Sequence, residues 1–328
     1  MKIAIIGAGA IGGWLAVLVG HHLPQQVQLS VLARGATLQA IRQHGLQLTQ
    51  AGQLHQVQVR ASDNPAELGE QDLVILAVKA QSLMSVAPAV AELMGQHGKV
   101  LVAMNGVPWW FFHGADALLA APLQTVDPDG RIGQLIPAER VIGSVIHASC
   151  RTTAPAQIAH VMGQGLILGL PDGQITPQLR QLAALLEQAG LQISLSEQIQ
   201  RDIWYKLWGN MTMNPISALT HASCDQILAD ALVRDFSARV MEEARQIGAA
   251  IGCSIEQSTE DRFAVTAKLG AFKTSMLQDA EAGRSLELDA LVGSVREIGQ
   301  RLHLATPWTD TLYGLTRLMA KNRGLLCR

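Results

Sequence analysis

The chain has 328 residues, 48% of them hydrophobic and 16% charged, with a formal net charge of −2. Such a composition is that of a soluble globular protein long enough for two domains, and it excludes a disordered or low-complexity chain. No Lys/Arg cluster dominates a segment, so neither nucleic acid nor an anionic membrane surface is indicated as a partner.

Residues 2–6 (KIAII) predict a short buried strand, and a helix follows from Gly12. The uncharged stretch up to Gly20 superficially mimics a secretory signal. Gly7, Gly9, Gly12 and Gly13 argue against one, since each costs up to about 1 kcal/mol inside a helix. A strand-turn-helix accommodates them. Residues 27–32 predict a second strand and 37–43 a short helix. The β-branched runs at 73–78 (LVILAV), 99–104 (KVLVAM) and 141–149 (VIGSVIHAS) are separated by helical stretches, the pattern of parallel strands with right-handed crossovers. Residues 158–170 predict a hairpin joined at Gly163 and Gly165, and 190–195 one more strand. From about residue 197 long helical patterns take over. The expectation is an α/β Rossmann-type domain with a mostly parallel sheet over 1–196, then an all-α domain over 197–328. No other apolar run is long enough to span a membrane. Cys150, Cys224, Cys253 and Cys327 are scattered without a C-x-x-C, which suits reduced thiols in a cytoplasm better than disulfides or a metal site. The mildly basic tail (320–328) is expected to fray.

Gly7-Ala8-Gly9-Ala10-Ile11-Gly12 is G-x-G-x-x-G placed directly after a predicted strand and opening a helix. The first glycine permits the tight turn, the second lets the backbone approach a pyrophosphate, and the third allows close helix–strand packing. The second strand then selects the cofactor. A carboxylate at its end would bind the ribose of NAD, whereas this chain reads Ala33-Arg34-Gly35. Arg34 can pair with a 2′-phosphate, so NADP(H) is favoured. Lys79 follows one apolar strand and Asn105 another, and both therefore point toward a cofactor crevice.

Residues 203–220 (IWYKLWGNMTMNPISALT) carry a single charge, Lys206. On a helix, Asn210 and Asn214 share its face, one and two turns further on. The lysine either snorkels its ammonium to water or hands a proton to a carbonyl oxygen.

With these motifs in hand, the chain resembles the ketopantoate reductase family (2-dehydropantoate 2-reductases) over nearly its whole length. IAIIGAGAIGG looks like the family's N-terminal fingerprint, LARG its NADP-selecting turn, and AVKAQ and MNGV its strand-end motifs. YKLWGNMTMNPISAL is similar to its catalytic helix, and KTSMLQDAEAGRSLELDALVG to its Ser-Met-x-Gln-Asp…Glu signature. The resemblance implies Lys206 as proton donor, with Asn105, Asn210, Asn214 and Ser275 binding a small 2-oxo acid. It implies Gly7, Ala8, Gly9, Ala10, Ile11, Gly12, Arg34, Lys79 and Asn105 as cofactor contacts. Glu287 would join that set and hold the lysine network. The implied reaction is NADPH-dependent reduction of 2-dehydropantoate to (R)-pantoate.

One departure follows Asn105, where the chain reads Pro108-Trp109-Trp110-Phe111-Phe112-His113. Four aromatics in a row either narrow a pocket for another substrate or simply pack. The first alternative leaves open a related reductase giving a D-2-hydroxy acid from a branched or aromatic 2-oxo acid. The second class of alternative is an NADP-sensing module without catalysis. A homodimer is left open. His147 and His160 read as structural residues.

Overall fold

The apolar runs of the first half of the chain are strands because other elements cover both their faces. β1 (Lys2–Ile6) and β6 (Leu73–Leu76) are buried almost throughout, as central parallel strands are. The structure, a computed structural model, describes residues 1–115 and 117–326. Between those two strands come α1 (Ala10–His22), β2 (Gln28–Leu32), α2 (Gly35–His44), β3 (Leu46–Gln50), β4 (Gln53–Val57), β5 (Arg60–Ser62) and α3 (Pro65–Leu68). After β6 follow α4 (Leu83–Met94), β7 (Lys99–Val102), α5 (Ala117–Ala120), α6 (Arg131–Leu135), β8 (Val141–Ala154), β9 (Gln157–Gly169), α7 (Pro177–Gln188) and β10 (Gln192–Leu195).

Among the described residues ten strands form one sheet in the order β4-β3-β9-β8-β7-β6-β1-β2-β5, with β10 paired to β9. β3–β4 and β8–β9 are antiparallel, and the remaining pairs are parallel. Ile6 lies opposite both Leu32 and Leu76, and Leu76 opposite Val102, so β2, β1, β6 and β7 end in line. α1 packs against β1, β2, β3, β4, β8 and β9 and is buried from Gly12 to Val19. A helix enclosed on all sides needs no polar face, which explains the apolar run near the N-terminus.

Two features of the sheet differ from expectation. β9 runs unbroken through Gly163 and Gly165, and the turn lies instead at Pro155-Ala156, where Ala156 takes a φ of 62°. Gly163 (φ 75°) serves a bulge: a Cβ there would lie 2.3 Å from the His147 carbonyl oxygen, and the pairing slips between His147 and Cys150. β3 and β4 go unpredicted because glutamine-rich, half-exposed strands carry little apolar signal, and β5 because it is only three residues long.

The chain packs as two compact units: Met1–Met104 with Arg131–Ile199, and Asn105–Gly130 with Gln200–Arg328. The composition shift places a single boundary near residue 196, whereas packing also assigns residues 105–130 to the helical unit. The reason is the aromatic run. Trp110 is 2% and Phe111 3% exposed, and the Phe111 ring lies 6.1 Å from that of Trp204.

The helical unit contains α8 (Ile199–Thr220), α9 (Cys224–Ala229), α10 (Ala231–Ala250), α11 (Thr259–Ala267), α12 (Ser275–Glu281), a π-helical turn (Asp289–Gly293), α13 (Ser294–Arg301) and α14 (Pro307–Asn322). Trp204 and Trp208 anchor α8 to α10, their indole N–H groups donating to the Ala244 and Met241 carbonyls at 3.2 and 2.8 Å. Gly248 makes the room, since a Cβ there would lie 2.3 Å from Trp204 Nε1. The buried Glu243 carboxylate accepts from the Trp308 and Thr309 amides at 2.9 and 2.8 Å, satisfying the open end of α14. The tail does not fray as far as Leu325, which is buried and accepts a hydrogen bond from the Leu286 amide at 3.0 Å. Cys327 lies outside the described residues. No helix among the described residues is long and apolar enough to cross a membrane.

Candidate active site

The three glycines of the loop after β1 do three different jobs. Gly7 has a φ of 95°, and a Cβ on it would lie 2.7 Å from the Ala77 carbonyl oxygen. A Cβ on Gly12 would lie 2.1 Å from the Gly7 carbonyl oxygen, so this glycine sets how closely α1 approaches β1. Gly9 is different: nothing stands within 4 Å of where its Cβ would be. It caps α1 and faces open space beside that helix's amide-rich end, with Ala8, Ala10 and Ile11 completing the loop. No acidic side chain occupies the first turn of α1. A diphosphate fits this cradle, because the free amides and the helix dipole both favour an anion.

Arg34 stands exposed two residues beyond the end of β2, and Lys79 half-buried three residues beyond the end of β6. Since β2, β1 and β6 end in register, both cations lie on the edge of the sheet that carries the glycine loop. The first unit thus gathers two positive side chains and a helix N-terminus at one sheet edge, an arrangement suited to a polyanionic cofactor.

In the second unit, the Lys206 Nζ donates to the Asn105 Oδ1 at 2.9 Å. Burial lowers this ammonium from an ordinary 10.5 to about 8, against the opposing pull of the Glu287 carboxylate. The lysine is therefore charged at neutral pH yet holds its proton far less tightly than in water. Asn210 and Asn214 follow one and two turns along α8, the first half-buried and the second buried. Trp204 and Trp208 occupy the opposite side of the helix, against α10.

Glu287 immediately precedes the short helical start of the π turn. Asp279, on α12, pairs with Arg284 at 2.9 Å and so fixes the turn that leads from α12 toward Glu287. Ser275 is the exposed first residue of α12. Thr274, not Ser275, caps that helix, its Oγ1 accepting from the Leu277 amide at 3.2 Å. The structure thus joins Lys206 to Asn105 and Glu287, sets Asn210 and Asn214 along the same helix, and presents Ser275 from a separate one.

Arg262 has no place in the sequence motifs, yet its guanidinium lies 5.1 Å from the Tyr205 ring, and a Cβ on Gly209 would come within 2.3 Å of its Nη2. The only local signal for it is a glycine in the middle of a long helix. Elsewhere, burial pushes the Cys150 thiol up to about 12 and those of Cys224 and Cys253 to about 11, with Asp225 adding to the rise at Cys224. Such thiols stay protonated and unreactive. His160 stacks on Trp14 at 6.0 Å and places its Nε2 2.6 Å from the Gly163 carbonyl oxygen, a structural role.

Residues 3–173 match the family model Ketopantoate reductase PanE/ApbA, and residues 198–320 match Ketopantoate reductase PanE/ApbA C terminal. A 2-dehydropantoate 2-reductase of Mesorhizobium japonicum is 43% identical over 325 residues, which cover 99% of each chain. A crystal structure from Ralstonia solanacearum MolK2, given there as a candidate ketopantoate reductase, is 56% identical with a TM-score of 0.94 over 99% of both chains. D-mandelate dehydrogenase in complex with NADH and anilino(oxo)acetate is alike in fold, at 20% identity and a TM-score of 0.84, over 99% of this chain and 100% of that one.

Proposed function

The chain belongs to the ketopantoate reductase family, whose members are oxidoreductases, and on that premise we propose that it reduces 2-dehydropantoate to (R)-pantoate with NADPH. It would do so in the cytoplasm, on the route to pantothenate and coenzyme A. The observation that carries this reading is the hydrogen bond from the Lys206 ammonium, the one charge between Ile203 and Thr220 of α8, to Asn105, together with an ammonium lowered to about 8.

Bound NADPH supplies the hydride. As negative charge grows on the ketone oxygen, the Lys206 ammonium stabilises it and then gives up its proton, completing the alcohol. Asn105 aims the ammonium, and Glu287 opposes its loss of charge on burial. Asn210 and Asn214 would bind the substrate hydroxyl, and the Ser275 hydroxyl, spared from helix capping by Thr274, would bind its carboxylate. Preference for NADPH rests on Arg34, exposed where the 2′-phosphate of the adenosine ribose would sit.

A second reading keeps the same chemistry with a bulkier aromatic 2-oxo acid. It is favoured by Trp109 and Phe112, which stay partly exposed while Trp110 and Phe111 are buried. Steady-state rates with 2-dehydropantoate and with phenyl-substituted 2-oxo acids, each with NADPH and NADH, separate the two. The expected result is highest kcat/KM for 2-dehydropantoate with NADPH. Negligible turnover of that substrate, beside rapid turnover of the aromatic acids, would establish the second reading instead. NADPH binding without turnover of any 2-oxo acid would mark a cofactor sensor.

A further inference from the structure

Two groups act on the Lys206 ammonium, Asn105 through a hydrogen bond and Glu287 through its charge. They lie far apart in sequence but meet at one irregularity of the backbone. Between Asp289 and Gly293 the helix widens to a π turn, and the Ser294 amide bonds to the Asp289 carbonyl rather than to that of Ala290. Such slips are uncommon and frequently mark functional sites. Their local consequence is a carbonyl released from the helical ladder.

Here the released carbonyl is put to use. Ala290 O accepts the Val107 amide at 3.0 Å, and the Ser294 hydroxyl at 2.8 Å. Gly106, between Val107 and Asn105, has a φ of 87° and lies so close that a Cβ would come within 2.5 Å of the same oxygen. Asn105 is therefore pinned through its two following residues onto the turn, while Glu287 begins the same helical segment, its carbonyl accepting from the Leu291 amide at 3.2 Å. α14 holds the turn from outside. The Tyr313 hydroxyl donates to the Asp289 Oδ1 at 2.7 Å, and Gly293 packs against the Tyr313 ring. Burial and Asp289 together push that hydroxyl up to about 12, so it remains a donor at any pH at which the enzyme works.

We propose that the π turn Asp289–Gly293, latched by Tyr313, is a positioning device that sets Asn105 and Glu287 together around the Lys206 ammonium. This rests on the reading of Lys206 as proton donor, and it adds Gly106, Ala290, Asp289 and Tyr313 as positioning residues. They act through Asn105 and Glu287. Loosening the turn withdraws both groups that favour the charged lysine and leaves the burial that disfavours it, so the ammonium becomes more acidic and less well aimed.

Tyr313→Phe removes only the hydroxyl and keeps the ring; Asp289→Ala removes its acceptor from an exposed position. In protein labelled with 13C-lysine, the Lys206 resonance, assigned by its loss in Lys206→Arg, reports the ammonium pKa without reference to turnover. Both variants are expected to lower that pKa by roughly half a unit or more. They should also lower kcat by roughly threefold to tenfold, the cost of a misplaced catalytic group. Gly106→Ala should do the same more severely. An unmoved Lys206 pKa and wild-type kcat in both Tyr313→Phe and Asp289→Ala would overturn the proposal. A moved pKa with an unmoved kcat would uphold the positioning device and overturn the proton-donor reading instead.

Discussion

A buried ammonium serves a reductase only while it carries its proton. Because burial lowers Lys206 from 10.5 to about 8, with Glu287 opposing, the charged form dominates below pH 8 and is lost above it. Reduction is therefore expected to be level at neutral pH and to fall about tenfold per pH unit above about 8, while oxidation of the alcohol rises over the same range. Rates measured from pH 6 to 10 in both directions check this. Lys206→Ala should cost about 10²–10⁴ in kcat and leave NADPH affinity intact. Arg34→Ala should weaken NADPH by about tenfold or more and leave NADH nearly unaffected, a difference titrated by fluorescence, because a charge-assisted hydrogen bond is worth about 1.5–3 kcal/mol. At this scale the sequence is informative wherever the chemistry is local. Gly7, Gly9 and Gly12, or Lys206, Asn210 and Asn214, are each one motif on one element. The Lys206–Asn105 bond spans 101 positions, and no spacing rule reaches that far.

Elements hold the site through their ends. The segment that begins at Asn105 returns to the sheet only after Gly130, and its far part is clamped by α13. Glu297 accepts from the Thr125 and Gln124 amides, both at 2.9 Å, and Arg301 donates to the Ala121 and Pro122 carbonyls, both at 2.6 Å. Burial pushes the Glu297 carboxyl upward, but hydrogen bonds from Thr125, Gln124 and Arg301 prevail and hold it below the ordinary 4.5. A depressed carboxyl stabilises the fold above about pH 4.5, and the contribution fades as pH falls through the lowered value. Glu297→Ala should thus cost about 1–3 kcal/mol at pH 7, and less at pH 3, in urea unfolding followed by tryptophan fluorescence. α8 was legible as a helix from its composition, and α1 from the glycines around its start. The turn of the β8–β9 hairpin was not, because a glycine with positive φ serves a bulge as readily as a turn. Only the pairing distinguishes them: the register passes from His147 opposite Gly165 to Ser149 opposite Met162 and skips Gly163.

The molecule divides between a unit that carries the glycine loop and a unit that carries Lys206, and the chain crosses between them more than once. A fragment of residues 1–199 keeps the apolar Trp110 and Phe111 but leaves Phe111 without the Trp204 ring, which lies 6.1 Å from it in the intact chain. That fragment is expected to bind the dye ANS and to lack a sharp unfolding transition. Replacing residues 105–130 with a flexible linker of about ten residues should restore one. Persistence of ANS binding after that replacement would show that the first unit depends on more than the excursion. Composition and periodicity by themselves determined the α/β-then-α order, the glycine loop that opens α1, the position of Arg34 beyond β2 and the lysine face of α8, because each is written in consecutive residues at helical or strand spacing. Only the tertiary structure decided that residues 105–130 belong with the helices, and that a π turn joins Asn105 and Glu287 to Lys206. Those outcomes depend on burial and on backbone groups, a freed Ala290 carbonyl and a glycine with no room for a Cβ, whose partners lie far away along the chain.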